Sequence, residues 1–418
     1  MRNPFRSADG ILGLLAAHGI STLGTSMSFL AIPWFVLVTT GSATATGLVV
    51  FAEMMPYVLV QALGGPLVDR YGPWRVSVRT DVVAALAMGV IPALHVLGGL
   101  SLPVLLVAVA VAGAFRGAGD VARRVLLPRV ATASGVSLER ASGLHDGTGR
   151  LAGLLGSPLS GVFIAVASAP AVVAVDAVTF LVSAGLVASL PQPRETERES
   201  AGEFYLSHLR EGLAYLRQDR LLLGIVAMII VTNLLDQAFA AVLLPVWVRE
   251  KLGSPVALGT IGACFGLGAV GGNALMAWLG PRLPRRLPFA ISFLVCGAPR
   301  FLALAFLAQL PPVLAVAALA GMGAGGINPA LGAAEYERVP PRLQARVLGA
   351  VGALAWLGIP FGGLVGGGLL EAFGLRIALL ACGSIYFLAT LAPFVFPAWR
   401  QMERGSAPSL HLAGEEGG

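Results

Sequence analysis

The chain has 418 residues, of which 56% are hydrophobic and only 12% are charged. Soluble domains carry about 25% charged residues, so this composition excludes a water-soluble globule and indicates a polytopic membrane protein. The net charge of +6 would suggest nucleic-acid binding in a soluble protein, but the arginines cluster in short loops between apolar runs, as membrane orientation requires. No nucleic-acid partner is expected.

Apolar segments follow one another along the chain, each close to the roughly 20 residues that a helix needs to cross a bilayer. Twelve are predicted, at 11–38, 44–67, 74–98, 102–127, 140–167 and 170–190, then at 221–248, 256–280, 286–308, 312–336, 343–370 and 374–397. We number them spans 1 to 12. They predict an all-α membrane protein of twelve transmembrane helices in two six-helix bundles, at 1–190 and 221–397.

Charge placement orients these spans. Arg2 and Arg6 precede the first apolar run, which is too long for a signal-peptide core, so it is predicted as span 1. In this count 22 of the 28 Lys and Arg residues fall on the side of the N-terminus, 3 on the other side and 3 within spans. The positive-inside rule then puts both termini in the cytoplasm, in a bacterial-type inner membrane.

Between spans 2 and 3, residues 65–75 read GPLVDRYGPWR. The pattern Gly-x-Leu-x-Asp-Arg-x-Gly resembles the signature loop between helices 2 and 3 of the major facilitator superfamily. The resemblance implies that Asp69 and Arg70 latch the two bundles together in the outward-facing state. Gly65 and Gly72 are expected to permit close helix approach and a tight turn.

The same loop departs from the family pattern. Pro73 and Trp74 stand where basic residues are usual, and Arg75 is expected to substitute from a shifted position. The alternative is that Asp69 is only a charge at a helix end.

Span 5 carries a glycine-rich run, and residues 147–161 read GTGRLAGLLGSPLSG. It resembles the antiporter motif of the same superfamily through Gly149, Gly153, Gly156, Pro158 and Gly161. The alternative is ordinary packing of small residues between helices. Span 11 repeats Gly-x-Pro-x-x-Gly at 358–363, about half the chain later, which predicts pseudo-symmetric halves with a substrate site at their interface.

The segment 191–220 is the one long polar stretch before the C-terminal tail. Its first part is predicted to be a flexible linker. Apolar residues at near-helical spacing from Glu203 to Arg217 predict an amphipathic helix on the cytoplasmic membrane face. The tail, 398–418, is rich in Gly, Ser and Glu and is predicted to be disordered.

Further segments resemble the twelve-span bacterial drug and siderophore exporters of the superfamily. Residues 175–181 (VDAVTFL), 211–217 (EGLAYLR) and 339–347 (VPPRLQARV) are similar to stretches of that branch. The resemblance implies a secondary active transporter that exports compounds in exchange for protons by alternating access.

Ionisable residues inside predicted spans mark function by default, because a charge at the bilayer centre costs at least about 2.5 kcal/mol. Glu53 and Asp236 have no basic residue within one turn and are our first candidates for proton carriers. Asp176 is judged to lie near the outer end of its helix and ranks after them. Two further candidates are the i,i+4 pairs on single helices, expected to neutralise each other: Arg116 with Asp120, and Asp146 with Arg150.

Aromatic and weakly polar residues in the spans suggest a lining for the substrate cavity. The candidates are Phe29, Trp34, Met54, Phe239, Trp247, Asn273, Asn328 and Trp356. Such a lining favours lipophilic substrates.

The predicted function is proton-coupled efflux of small lipophilic or amphipathic compounds. Alternatives of the same fold are a metabolite or sugar importer or facilitator, and a lipid translocator. No metal cluster, nucleophile elbow or phosphate-binding loop is evident in the sequence. We therefore expect no enzymatic activity, no metal and no cofactor, with the proton gradient as the energy source. The expected partners are the substrate, protons and the bilayer, and the expected state is a monomer.

Overall fold

Long helices make up nearly all of the chain in this computed structural model, which describes residues 9–190, 201–340 and 342–403. Within these residues, spans 1 to 10 are Asp9–Thr40, Ala43–Leu63, Pro73–Val96, Leu102–Ser134, Leu138–Val166, Ala169–Ser189, Arg220–Lys251, Pro255–Leu279, Arg286–Phe306 and Leu310–Arg338. A π-helical turn, Phe239–Leu243, interrupts span 7. Short helices Gly65–Tyr71 and Ala201–Gln218 precede spans 3 and 7.

The last apolar run, Arg346–Val395, has 50 residues and contains two spans. At 1.5 Å per residue it would extend about 75 Å, more than twice the roughly 30 Å hydrocarbon core. Gly374 breaks it with φ 79° and ψ 165°, a conformation that only glycine adopts readily. Residues 344–373 are therefore span 11 and residues 375–395 span 12, which gives the twelve predicted helices.

The two glycine motifs pack spans 5 and 11 in equivalent ways. On span 5, a Cβ at Gly156 would lie 2.4 Å from Ser26 of span 1, and one at Gly161 would lie 3.0 Å from Gly259 of span 8. Each motif thus joins its helix to one span of its own half and one of the other half. Span 11 does the same with spans 7 and 2, because Gly358 lies against Ile230 and Gly363 against Gly47.

We call the end of the molecule with the loops after spans 2, 4, 6, 8 and 10 the arginine-rich end. At the opposite end, the two halves are joined by hydrogen bonds. Glu371 Oε1 accepts hydrogen bonds from Ser42 Oγ at 2.8 Å and from the Thr44 amide at 2.9 Å. Arg249 Nη1 donates to the Leu37 carbonyl at 2.9 Å. These contacts close the opposite end.

The predicted latch residues Asp69 and Arg70 form no ion pair between the halves among the described residues. Asp69 is exposed and makes no ion pair with any described residue, and the Arg70 guanidinium lies over the ring of its neighbour Tyr71 at 5.5 Å. Gly72 has φ 82° and caps the start of span 3. The predicted tight turn is therefore present, whereas an ion pair of Asp69 is not. A latch that engages in another conformation remains a prediction.

The helix Ala201–Gln218 packs on the second half. Leu216 is buried against Val347 and Val351 of span 11, and Arg346 forms an ion pair with Glu211. This helix therefore has a protein partner as well as an amphipathic sequence. The predicted flexible segment before it, 191–200, lies outside the described residues.

The chain remains ordered past the start of the predicted disordered tail. Pro397–Met402 form a 3₁₀ helix, and Trp399 is buried with its indole nitrogen facing Gly224 of span 7, where a Cβ would lie 3.5 Å away. The prediction of disorder from residue 398 was therefore wrong for these residues, because an aromatic anchor holds them. Residues 404–418 lie outside the described part.

Candidate functional site

A cavity of about 490 Å³ lies between span 5 of the first half and spans 7 to 10 of the second. Ligand pockets for drug-sized molecules have roughly 300–1,000 Å³, so the volume suits a small organic compound. Most of the lining is apolar, and the polar exceptions are Arg150, Ser157, Asn273, Arg300 and Asn328.

The predicted cavity residues divide into two groups. Phe239, Asn273 and Asn328 line the cavity. The other five do not line this cavity: Trp34, Met54 and Trp247 are buried in packing cores, Phe29 lies beside the Arg116 guanidinium, and Trp356 lies beside the Tyr57 ring. Because the side chains of Phe29 and Trp356 are partly exposed, their contact with a substrate stays a prediction. Composition alone cannot separate the two groups, because an aromatic side chain suits a core as well as a pocket.

Glu53, our first candidate for an unpaired proton carrier, is paired. Arg116 Nη1 of span 4 donates to Glu53 Oε1 of span 2 at 2.8 Å, with both side chains buried. The guanidinium also lies over the Tyr57 ring at 4.4 Å and the Phe29 ring at 5.0 Å. The partner is 63 residues away, so a search within one helix turn could not find it.

Asp236, the second candidate, is paired as well. Arg300 Nη2 of span 9 donates to Asp236 Oδ1 at 2.5 Å, and the guanidinium lies 4.9 Å from the Phe239 ring and 5.4 Å from the Phe265 ring. Each half thus holds one arginine–carboxylate pair flanked by two aromatic rings. Aromatic faces contribute a cation–π attraction that helps to offset the desolvation of the arginine.

Asp176 is the buried carboxylate without an ion pair among the described residues. It is 1% exposed, and its side chain accepts a hydrogen bond from Thr179 Oγ1 at 3.3 Å. Arg116 and Glu53 act on it electrostatically. The helix Ala169–Ser189 begins seven residues before Asp176, so Asp176 lies about 10 Å from the helix start, within one residue of its predicted position.

Asp120 does not pair with Arg116 as predicted. Arg123 Nη2 donates to Asp120 Oδ1 at 2.9 Å, and Arg123 Nη1 donates to both carboxylate oxygens of Asp81 at 2.8 and 2.9 Å. Ser183 Oγ donates to Asp81 at 2.7 Å. Sequence reasoning counted Arg123 only among the arginines on the side of the N-terminus, whereas it is buried inside the helix Leu102–Ser134.

Tyr57 connects the two clusters of the first half. Its hydroxyl donates to Asp120 Oδ2 at 3.1 Å and accepts from Gln61 Nε2 at 2.7 Å. Its ring is the one that stacks on Arg116. Polar contacts therefore continue from Glu53 to Asp81 across spans 2, 3 and 4.

Asp146 and Arg150 were predicted to neutralise each other and do not. Both side chains are exposed and form no ion pair with each other, while Arg150 lines the cavity. One turn of span 5 away, the His145 ring stacks on His18 of span 1 with centroids 3.8 Å apart. Sequence reasoning did not predict this stack. Among the described residues, no His, Cys, Asp and Glu cluster suited to a metal is found.

The glycines of the antiporter-like motif have different surroundings. Gly149 lies against His18, where a Cβ would be 3.0 Å from Nε2, whereas Gly153 has open space at the cavity. Gly156 and Gly161 lie in the contacts with spans 1 and 8 described above, and Gly259 approaches Pro158. Close packing accounts for the motif where it meets other helices.

This difference predicts unequal effects of one substitution on one helix. Gly161→Ala should lower the melting temperature and the transport rate, because its Cβ would lie 2.7 Å from the Pro255 carbonyl oxygen and overpacking costs about 1–3 kcal/mol. Gly147→Ala is the control, since nothing lies within 4 Å of its Cβ position. Thermal unfolding of the two purified variants measures the difference, and equal melting temperatures would contradict the packing role.

Comparisons with known proteins match nearly the whole length of the chain to one family of transporters. The sequence profile of the Major Facilitator Superfamily matches residues 14–237 and 226–411. The chain is 30% identical over 416 residues to the multidrug efflux pump Tap of Mycobacterium tuberculosis, covering 96% of each protein. It is 22% identical to macrolide efflux protein A of Streptococcus pyogenes, covering 91% of this chain and 94% of that protein.

Solved structures share the fold at low sequence identity. A bacterial homologue of the human lysosomal transporter Spinster, in an inward-facing and unoccupied conformation, superposes with a TM-score of 0.73 at 14% identity and covers 97% of this chain and 99% of that one. The nucleoside transporter NupG superposes with a TM-score of 0.69 at 12% identity, covering 93% and 99%.

Proposed function

This chain belongs to the Major Facilitator Superfamily, and from that premise we propose that it exports small lipophilic or amphipathic compounds in exchange for protons. It is a membrane transporter and not an enzyme. The proposal includes a bacterial-type cytoplasmic membrane with both termini inside, action as a monomer, and the proton gradient as the energy source with no bound cofactor.

The cavity is the observation that carries the substrate class. Its lining is mostly apolar and comes from both halves, so a compound bound there would contact span 5 and the second half together. Two of the full-length relatives are named as efflux pumps for drugs or macrolides. A sugar carrier would need a more polar lining to satisfy the hydroxyl groups of its substrate.

The position of the arginines and the hydrogen bonds between the halves support an inward-facing conformation. The arginine-rich end is the cytoplasmic end under the positive-inside rule. The Glu371 and Arg249 contacts join the halves at the opposite end, which would face outward. The Asp69 and Arg70 latch is disengaged, as the proposed role requires when the cytoplasmic side is open.

Proton coupling is proposed to use the cluster of Glu53, Arg116 and Asp176. Arg116 forms an ion pair with Glu53 there, and Asp176 is a second buried carboxylate on which both act electrostatically. Since an uncompensated buried charge is costly, the cluster is electrically balanced when one carboxylate holds a proton. Binding or release of that proton changes which carboxylate is ionised and therefore which charge Arg116 balances. The contacts between spans 2, 4 and 6 would change with it.

Inside-out proteoliposomes provide the test. We expect a pH gradient, acid inside, to drive uptake of at least one lipophilic fluorescent dye from a panel of an anionic, a neutral and a cationic compound. Collapsing the gradient with a protonophore should return uptake to the level of protein-free liposomes. Uptake that is indifferent to the gradient would make the protein a facilitator, and absence of uptake for every dye would refute drug-type efflux.

A further inference from the structure

The cavity has a polar end whose position follows from helix packing. Spans 5 and 8 are antiparallel, and a Cβ at Gly266 would lie 2.5 Å from Leu154 Cδ1. One turn closer to the arginine-rich end, Arg150 on span 5 is therefore level with residues 270–273 on span 8. Asn273, which lines the cavity, belongs to that level.

Span 10 brings a second amide to within about one helical turn of this level. A Cβ at Gly325 would lie 2.5 Å from the backbone nitrogen of Asn273, and Asn328 follows within one turn of span 10. Arg150, Asn273 and Asn328 thus surround the end of the cavity nearest the arginine-rich end. The other end is lined by Leu244, Ile261 and Val313 and is apolar.

The charge of the lining is positive. Of its two arginines, Arg300 is neutralised by Asp236. Arg150 is exposed and forms no ion pair with any described residue. Asp146 and Glu335, the nearest acidic positions along spans 5 and 10, lie toward the arginine-rich end and outside the lining.

We propose that Arg150 is the anion-binding group of this cavity and that the substrates are amphipathic anions. The apolar body of such a compound would lie among Leu244, Ile261 and Val313, and its carboxylate or sulfonate would accept hydrogen bonds from the Arg150 guanidinium and the two asparagine amides. Charge-assisted hydrogen bonds to arginine are the stronger class of polar contact. This assignment rests on the proposed transport function and narrows its substrate class.

Such a ligand would also couple the two halves. Arg150 is on span 5 of the first half, whereas Asn273 and Asn328 are on spans 8 and 10 of the second. An anionic group held between them adds a bond across the interface that a neutral compound of the same shape lacks. The cavity therefore distinguishes substrates by charge through a contact between the halves.

Two fluorescent probes that differ by one sulfonate test this assignment. 1-Anilinonaphthalene-8-sulfonate is the anion and N-phenyl-1-naphthylamine is its neutral counterpart. Binding to the full-length protein in nanodiscs is measured by fluorescence, with empty nanodiscs subtracted. We expect the native protein to bind the anion about tenfold more tightly, which corresponds to about 1.4 kcal/mol.

Substitutions of Arg150 should remove this preference. Arg150→Gln is expected to equalise the two affinities while leaving the affinity for the neutral probe unchanged, and Arg150→Glu to reverse the preference. Arg140→Gln is the matched control, because Arg140 is an exposed arginine at the start of the same helix and does not line the cavity. It should keep the preference of the native protein.

The outcomes separate the two proposals. If both probes bind and Arg150→Gln leaves their ratio unchanged, the anion site is refuted while a lipophilic cavity stands. If the native protein prefers the neutral probe, the substrate class is refuted in the same way. If neither probe binds the native protein, the proposed substrate class of the transporter fails, and the anion site fails with it.

Discussion

Asp176→Asn should abolish uphill transport while leaving substrate binding intact. The substitution keeps the size of the side chain and removes the proton site from the buried carboxylate on which the Arg116–Glu53 pair acts electrostatically. Without it, the cluster holds one carboxylate and one guanidinium in every state, so a pH gradient has no group to act on there. We expect gradient-driven dye uptake to fall to the level measured without a gradient.

Two measurements keep this prediction specific. Equilibrium dye binding should match that of the native protein, because Asp176 does not line the cavity. Asp146→Asn is the control for removal of a carboxylate from the same half, since Asp146 is exposed, and it should retain driven uptake. Driven uptake that persists in Asp176→Asn would exclude this residue as the proton carrier.

Glu53→Gln offers a comparison within the same cluster. Arg116 would lose its 2.8 Å partner, and Asp176 would be the remaining carboxylate that can balance it. We therefore expect Asp176 to stay ionised in that variant and coupling to be lost as well.

Hydropathy predicted the spans because the bilayer fixes their length and polarity. Hydropathy and the spacing of glycines are visible in the sequence. They predicted the twelve helices, the separation of spans 11 and 12, and the repeated Gly-x-Pro-x-x-Gly motifs. The residue at the break was not predicted, since Gly374 was placed as the first residue of span 12.

The partners of buried charges could not be predicted in this way. The i,i+4 rule sees one helix and therefore joined Arg116 to Asp120, whereas the arginine pairs with Glu53 on another span. Asp236 was judged unpaired for the same reason, although Arg300 lies beside it. Which helix faces pack against each other depends on the packing of the whole bundle. The spacing of residues within one helix does not reveal it.

Arg123 is the instructive case, because it was counted only as one of the charges that orient the protein in the membrane. The helix continues to Ser134, so Arg123 is 2% exposed and faces Asp81, which is fully buried. Its charge balances buried carboxylates inside the first half and also contributes to the excess of arginine at the arginine-rich end.

Arg123→Leu should therefore be the most destabilising of the substitutions discussed. Asp81 would lose the cation that donates two hydrogen bonds to it, and Asp120 would lose its ion pair. Removing one partner of a buried ion pair costs about 3–5 kcal/mol. Thermal unfolding of the purified protein should show this as a large fall in melting temperature, with Arg124→Leu, the exposed neighbour, changing stability by no more than about 0.5 kcal/mol.

A double variant separates the loss of pairing from the loss of packing. Asp81→Asn added to Arg123→Leu removes the uncompensated buried charge, keeps an acceptor for Ser183, and should recover most of the lost stability. Loss of the ion pair with Arg123 should cost Asp120 less, because 24% of its side chain is exposed to solvent. If the double variant unfolds as early as Arg123→Leu, the arginine acts through its volume and not its charge. Recovery would identify an electrostatic clamp between spans 3 and 4, which Tyr57 connects to the proposed proton site through Asp120 and Arg116.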